Sequence, residues 1–171
     1  MQIKLIAIGK TDHPAIQKLI EEYSSRLGFY IRFEWEIIPD LKKTKALSEQ
    51  NQKEKEGELI LKKVQASDEV ILLDERGKTF SSVEFSDFIQ KKMNAGLKQL
   101  IFVVGGPYGF SEEVYSRANG KISLSKMTFS HQMIRPFFVE QLYRAFTILR
   151  NEPYHHEWDI WHAEKKPYFR F

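Results

Sequence analysis

Apolar and polar positions along the chain follow two periods. Ile3 to Ile8 read as a first strand, closed by Gly9 and Lys10. Arg32 to Ile38 read as a second, with Phe33, Trp35 and Ile37 on one face and Pro39 ending it. Glu69 to Leu73 form a short buried strand ending at Asp74, with a turn expected at the DERG stretch. Leu100 to Val104 is a continuous β-branched and aromatic run, the pattern of a central parallel strand covered on both faces. Ile122 to Leu124 read as a last short strand.

Between these runs the apolar spacing is helical. Ile16, Leu19, Ile20, Tyr23 and Leu27 share one face, with Asp12 placed to cap the helix, Pro14 in its first turn and Gly28 ending it. Ser48 is placed to cap a very polar helix within residues 40–67, whose apolar face is thin until Leu59, Ile60 and Val64. A solvated helix is expected there. The alternative is a basic loop around Lys42, Lys43 and Lys45 that touches RNA phosphate. Ser82 is expected to cap a helix facing inward with Phe85, Phe88, Ile89 and Met93, closed by Asn94-Ala95-Gly96. Ser111 starts another helix running to Ala118, with Gly120 as its stop. Alternating strands and helices predict an α/β fold on a mainly parallel sheet, with about five of each.

The helix predicted from Ile134 to Arg150 differs from the others. Phe137, Phe138, Val139, Leu142, Tyr143, Ala145, Phe146, Ile148 and Leu149 cover well over half of its circumference. A surface helix needs one apolar stripe. Cover on two sides is therefore expected, by the sheet and by a second copy of the chain. A homodimer follows from that pattern.

Composition narrows the classes. The 171 residues suit one domain, and the absence of cysteine excludes disulfide scaffolds, thiol catalysis and cysteine zinc clusters. The apolar runs are too short to span a bilayer, and the first residues alternate like a strand rather than a signal peptide, so a cytoplasmic protein without a membrane partner is expected. A net charge of +3 permits a nucleic-acid partner without demanding one.

Three segments carry candidate chemistry. Gly105-Gly106-Pro107-Tyr108-Gly109 follows a buried strand, where ligands of open α/β sheets collect. It is neither GxGxxG nor a GK[ST] phosphate loop, so an ordinary nucleotide fold is disfavoured. A structural turn is the plain alternative. Residues 123–132 are rich in hydroxyls and too long for a simple connection; His131 there is a capping partner more readily than a catalyst. Tyr154-His155-His156-Glu157 lacks the spacing of a metal site and reads as a polar, substrate-contacting segment.

Taken jointly, VILLD with a following RG, VVGGPYG, SLSKMTFSHQMIR, EQLYRA and NEPYHHE resemble the RlmH family over residues 1 to about 157. The resemblance implies a SPOUT-class enzyme that methylates N3 of pseudouridine 1915 in 23S rRNA, acting on assembled 70S ribosomes rather than on naked RNA, with no DNA partner. It implies an α/β sheet whose C-terminal part forms a trefoil knot, which topology rules alone would not predict. It implies a homodimer with each active site completed at the interface, and S-adenosylmethionine as cofactor. The matching cofactor positions are Leu73, Gly105, Gly106 and Leu124, Ser125, Lys126, Met127, Thr128, Phe129 and Ser130. Arg144, Tyr154 and His155 match substrate positions: His155 to accept the N3 proton, Arg144 to hold phosphate or the imide anion, Tyr154 to orient the base. A knotted methyltransferase acting on another RNA site, or a noncatalytic ribosome-binding module, are the alternatives.

Two features depart from the family. His156 stands where relatives carry a basic residue, which weakens a phosphate contact. Residues 1–157 account for the catalytic domain, and 158–171 form an extension with two of the three tryptophans. A surface-packed tail is expected for it.

Overall fold

A computed structural model describes residues 1–41 and 47–156. Lys42, Lys43, Lys45, Glu157 and the extension lie outside the described residues. Ten elements run in order: β1 (Gln2–Ile8), α1 (Pro14–Leu27), β2 (Arg32–Ile38), α2 (Glu49–Leu61), β3 (Glu69–Thr79), α3 (Ser82–Asn94), β4 (Gln99–Val104), α4 (Glu112–Arg117), β5 (Gly120–Ser123) and α5 (Ile134–Leu149). The strands form one sheet in the order β2-β1-β4-β3-β5, and every pairing is parallel. The IFVV run of β4 is central and buried on both faces, as its unbroken apolar pattern requires.

Side chains on a strand alternate between faces, and the core divides accordingly. Ile3, Leu5, Ala7, Leu100, Phe102 and Val104 pack against α1, α3 and α5 through Leu27, Phe85, Ile89, Phe138 and Leu142. Ile6, Ile8, Val70, Leu72, Ile101 and Val103 pack against Ile60 of α2 and Val114 of α4 on the other side. The rings of Phe102 and Phe138 meet at 4.7 Å and pin α5 to the middle of the sheet.

That placement alters the reasoning from the apolar girth of α5. The helix lies between α1 and α3, so the chain itself supplies much of the lateral cover. What stays exposed is local: Phe137 beside Phe129, and Met133 just before the helix.

Several boundaries differ from expectation for identifiable reasons. The DERG stretch is not a turn. Asp74 Oδ1 accepts from the Arg76 amide at 2.8 Å, and the strand resumes so that Lys78 and Thr79 pair with Ile122 and Ser123 across a register shift. His13, not Asp12, caps α1, its Nδ1 accepting from the Ala15 amide at 3.2 Å. Asp12 is occupied by Gln132, through Gln132 Nε2 to Asp12 Oδ2 at 2.8 Å and the Asp12 amide to Gln132 Oε1 at 3.1 Å. Ser81 rather than Ser82 caps α3, in a reciprocal box with Glu84. Gly120 does not stop α4; Ala118 ends it and Gly120 opens β5. Ser48 caps α2 as expected, but the helix is not simply solvated, because Gln52, Glu56, Gly57 and Ile60 are buried.

The bulge in β3 brings two backbones into contact. A Cβ on Gly77 would sit 2.5 Å from the amide nitrogen and carbonyl carbon of Ile122. Backbone cannot rotate aside as a side-chain tip can. Gly77→Ala is expected to separate β3 from β5 and cost about 2–3 kcal/mol, read as a lower urea midpoint. An unchanged midpoint would contradict this packing.

Candidate active site

The cavity that matters lies at the carboxyl ends of β3, β4 and β5, the end of an open parallel sheet where ligands bind. Its volume is about 510 Å³, within the usual size for a small-molecule site. Three segments close around it: Leu73–Arg76 at the bulge of β3, Val104–Phe110 after β4, and residues 123–131 after β5. Leu73, Ile122, Leu124 and Phe129 make apolar wall.

Each segment is held from within. Gly106 O accepts from the Gly109 amide at 3.2 Å and tightens the glycine turn, with Gly109 in the left-handed region at φ 82°. Ser123 Oγ donates to Ser125 O at 2.7 Å, and Ser125 Oγ accepts from the Met127 amide at 2.9 Å. Thr128 Oγ1 donates to Glu75 Oε2 at 3.1 Å, joining the hydroxyl-rich segment to the β3 bulge. Tyr115 OH donates to Asp74 Oδ2 at 2.5 Å; burial and that carboxylate push the phenol up to about 12, so it remains a donor at neutral pH. The His131 imidazole also faces the cavity, and burial and then the Arg135 charge lower its pKa.

Nine of the ten expected cofactor positions line this one cavity: Leu73, Gly105, Gly106, Leu124, Ser125, Met127, Thr128, Phe129 and Ser130. Lys126 is exposed and does not. A family model described as "Predicted SPOUT methyltransferase" matches residues 1–155. The "Ribosomal RNA large subunit methyltransferase H" of Flavobacterium johnsoniae is 69% identical over 157 residues, 92% of this chain and 100% of that protein. The protein of the same name from Christiangramia forsetii is 72% identical over 156 residues, 91% of this chain and 99% of the relative. The chain belongs to the RlmH family of SPOUT methyltransferases. It is an enzyme that uses S-adenosylmethionine. A solved structure from Haemophilus influenzae Rd KW20, a probable methylase family protein, aligns with a TM-score of 0.51 at 15% identity, covering 91% of this chain and 70% of that one. That likeness concerns the fold alone.

The cavity fits the cofactor of an RlmH-type enzyme. It has the volume, the apolar wall and a rim of hydroxyls and backbone polar groups. Its glycine turn packs tightly on α2, because a Cβ on Gly106 would meet Glu56 Oε2 at 2.2 Å. Leu73, Gly105, Gly106, Leu124, Ser125 and residues 127–130 would hold the cofactor there.

The three expected catalytic residues are elsewhere. Arg144 lies ten residues along α5 from Ile134, about 15 Å from the cavity end at the rise of an α-helix. There it forms a cluster with Tyr154. Glu140 Oε1 accepts from Arg144 Nη2 at 2.5 Å and from Tyr154 OH at 2.9 Å, and the guanidinium stands 4.7 Å from the centre of the Tyr154 ring. Tyr154 OH lies 3.2 Å from Tyr23 OH, and His155 Nδ1 is buried without a partner among the described residues. Within one chain, none of the three reaches the cavity.

Sequence reasoning missed the supports of this site. Glu140, Tyr115, Asp74 and Glu56 are charged or phenolic groups on helices and at a strand bend, with nothing in local spacing to single them out. Gly106→Ala is expected to weaken cofactor binding by at least about ten-fold in calorimetry, with the circular dichroism spectrum retained. Wild-type affinity in that variant would contradict a role for the packing of this turn against Glu56.

Proposed function

We propose that this chain methylates N3 of pseudouridine 1915 in 23S rRNA, on assembled 70S ribosomes, as a homodimer in the cytoplasm. One observation carries the reading: nine expected cofactor residues, drawn from three separate segments, converge on one cavity at the carboxyl end of the sheet. Relatives that match over essentially their whole length bear the name of a large-subunit rRNA methyltransferase, and the modified nucleoside follows from that family. Among the described residues no helix is long and apolar enough to cross a membrane.

The distance between cavity and cluster supports the homodimer. If Arg144, Tyr154 and His155 act on the substrate, a second copy must present them at the first copy's cavity. Exposed Met133 and Phe137 beside that cavity supply apolar surface for its docking. We read the crossing from β5 to α5 as the trefoil knot. It leaves the sheet edge beside β3 and fastens at the end of β1, where Gln132 meets Asp12. Residues 1–157 would be the catalytic domain and 158–171 an appended segment.

S-adenosylmethionine supplies an activated methyl group on a sulfonium. The chain's own residues must place N3 in line with that methyl and remove the N3 proton. His155 is assigned the proton, since an imidazole nitrogen can accept one as a general base. Arg144 would hold phosphate or the developing imide anion, with Glu140 fixing its orientation. Tyr154 serves as a phenol and not as a base: burial and its bonds to Tyr23 and Glu140 drive its pKa far above the ordinary value. A neutral aromatic ring beside a guanidinium suits stacking on a base.

Labelled cofactor incubated with unmethylated 70S ribosomes should yield one labelled nucleoside, N3-methylpseudouridine. Label in a different nucleoside would assign another RNA site, and binding without transfer would make the chain a noncatalytic module. His155→Ala and Arg144→Ala should each lower the rate by about 100-fold or more with cofactor binding unchanged. Near-wild-type rates in both would overturn the assignment.

A further inference from the structure

Glu56 sits on the inner face of α2 and is only 3% exposed. Its Oε1 accepts from Gln52 Nε2 at 2.8 Å. Its Oε2 is buried and has no hydrogen-bond partner among the described residues. A buried carboxylate oxygen left unpaired is costly to the fold and calls for an explanation in function.

The surroundings supply one. Oε2 packs against Gly106, where a Cβ would come within 2.2 Å of it, and Gly106 is cavity wall. The carboxyl is therefore separated from the cavity by one thickness of backbone. It is also locked there: one position on, Gly57 is seated against Ser111, whose Oγ a Cβ would meet at 2.4 Å. Burial raises the Glu56 pKa, the Gln52 bond opposes this, and the Asp40 charge adds to it. Lys53, on the same helix, lines the cavity.

S-adenosylmethionine carries one more positive charge than S-adenosylhomocysteine, its product after methyl loss. The two otherwise have nearly the same shape, so walls and hydroxyls alone distinguish them weakly. A fixed negative charge behind the wall distinguishes them by Coulomb attraction, which is little screened away from water.

We propose that Glu56, acting through the glycine turn, is the specificity-determining charge by which the cavity prefers the cationic methyl donor over the neutral spent product. The inference rests on the methyltransferase reading of this cavity. Ionisation of Glu56 and binding of the cation favour one another. Preference for the donor is therefore fullest above the raised pKa of Glu56 and declines as pH falls through it.

Calorimetry of both ligands with wild type, Glu56→Gln, Glu56→Asp and Glu54→Gln tests this. Glu56→Gln keeps the shape and removes the charge. It should weaken donor binding about five- to ten-fold and move product binding by less than about two-fold. Glu56→Asp should keep most of the preference. Glu54→Gln removes an exposed charge from the same helix and should leave the ratio unchanged. The ratio should depend on pH in wild type and be flat in Glu56→Gln. Equal loss for both ligands, or an unchanged ratio, would make Glu56 purely structural and overturn the proposal. Failure of the wild type to bind either ligand would overturn the cofactor reading and this proposal together.

Discussion

One buried guanidinium holds the site together. Arg135, in the first turn of α5, is fully buried, yet no carboxylate touches it among the described residues. Its donors go to backbone and hydroxyl oxygens instead: Nη2 to Ile8 O at 2.5 Å, Nη1 to Gly9 O at 2.9 Å and Thr11 Oγ1 at 2.8 Å, Nε to His131 O at 2.9 Å. Taking a cation out of water is expensive, and these acceptors offset the cost only if all stay in place. The consequence is geometric. The end of β1, the start of α5 and the end of the hydroxyl-rich segment are fastened at one point. The cavity wall from Leu124 to His131 is thus stretched between two fixed ends, β5 and Arg135.

The helix that Arg135 anchors has a second task at its other end. Its middle is buried through Phe138, Leu142 and Ala145 against the sheet, flanked by α1 and α3. From its middle onward, Glu140 and Arg144, one turn apart, and Tyr154 just beyond the helix form one bonded group. A rigid rod that closes a cavity with one end and displays polar side chains with the other cannot bring its two ends together. The proposed homodimer would let each copy supply what the other lacks. The apolar girth read from the sequence is satisfied mostly within the chain, so the proposed dimer rests on the separation of the Arg144–Tyr154 cluster from the cavity.

Much of this was legible in the sequence wherever one physical signal dominated. The unbroken IFVV run placed β4 at the centre, and period-3.6 spacing located α1, α3 and α5. Legibility failed where two signals competed. DERG has turn chemistry, yet Gly77 is there because Ile122 passes within reach of a Cβ, a contact between residues 45 apart in the chain. Asp12 is a good cap by composition, but Gln132 claims its side chain and His13 takes the role. The polar face of α2 gave no hint that Gln52 and Glu56 point inward, because burial of polar groups leaves no periodic trace. The expected cofactor positions came from motif resemblance, and all but Lys126 line one cavity.

The composite site is tested most directly by mixing two defective chains. Gly106→Ala spoils the cavity and leaves the C-terminal cluster intact; His155→Ala does the reverse. Each homodimer should be inactive on unmethylated ribosomes. A purified heterodimer of the two should regain about half of the wild-type rate, since one of its two sites combines an intact cavity with the intact cluster of the partner. A heterodimer as inactive as either parent would contradict a site shared between two copies.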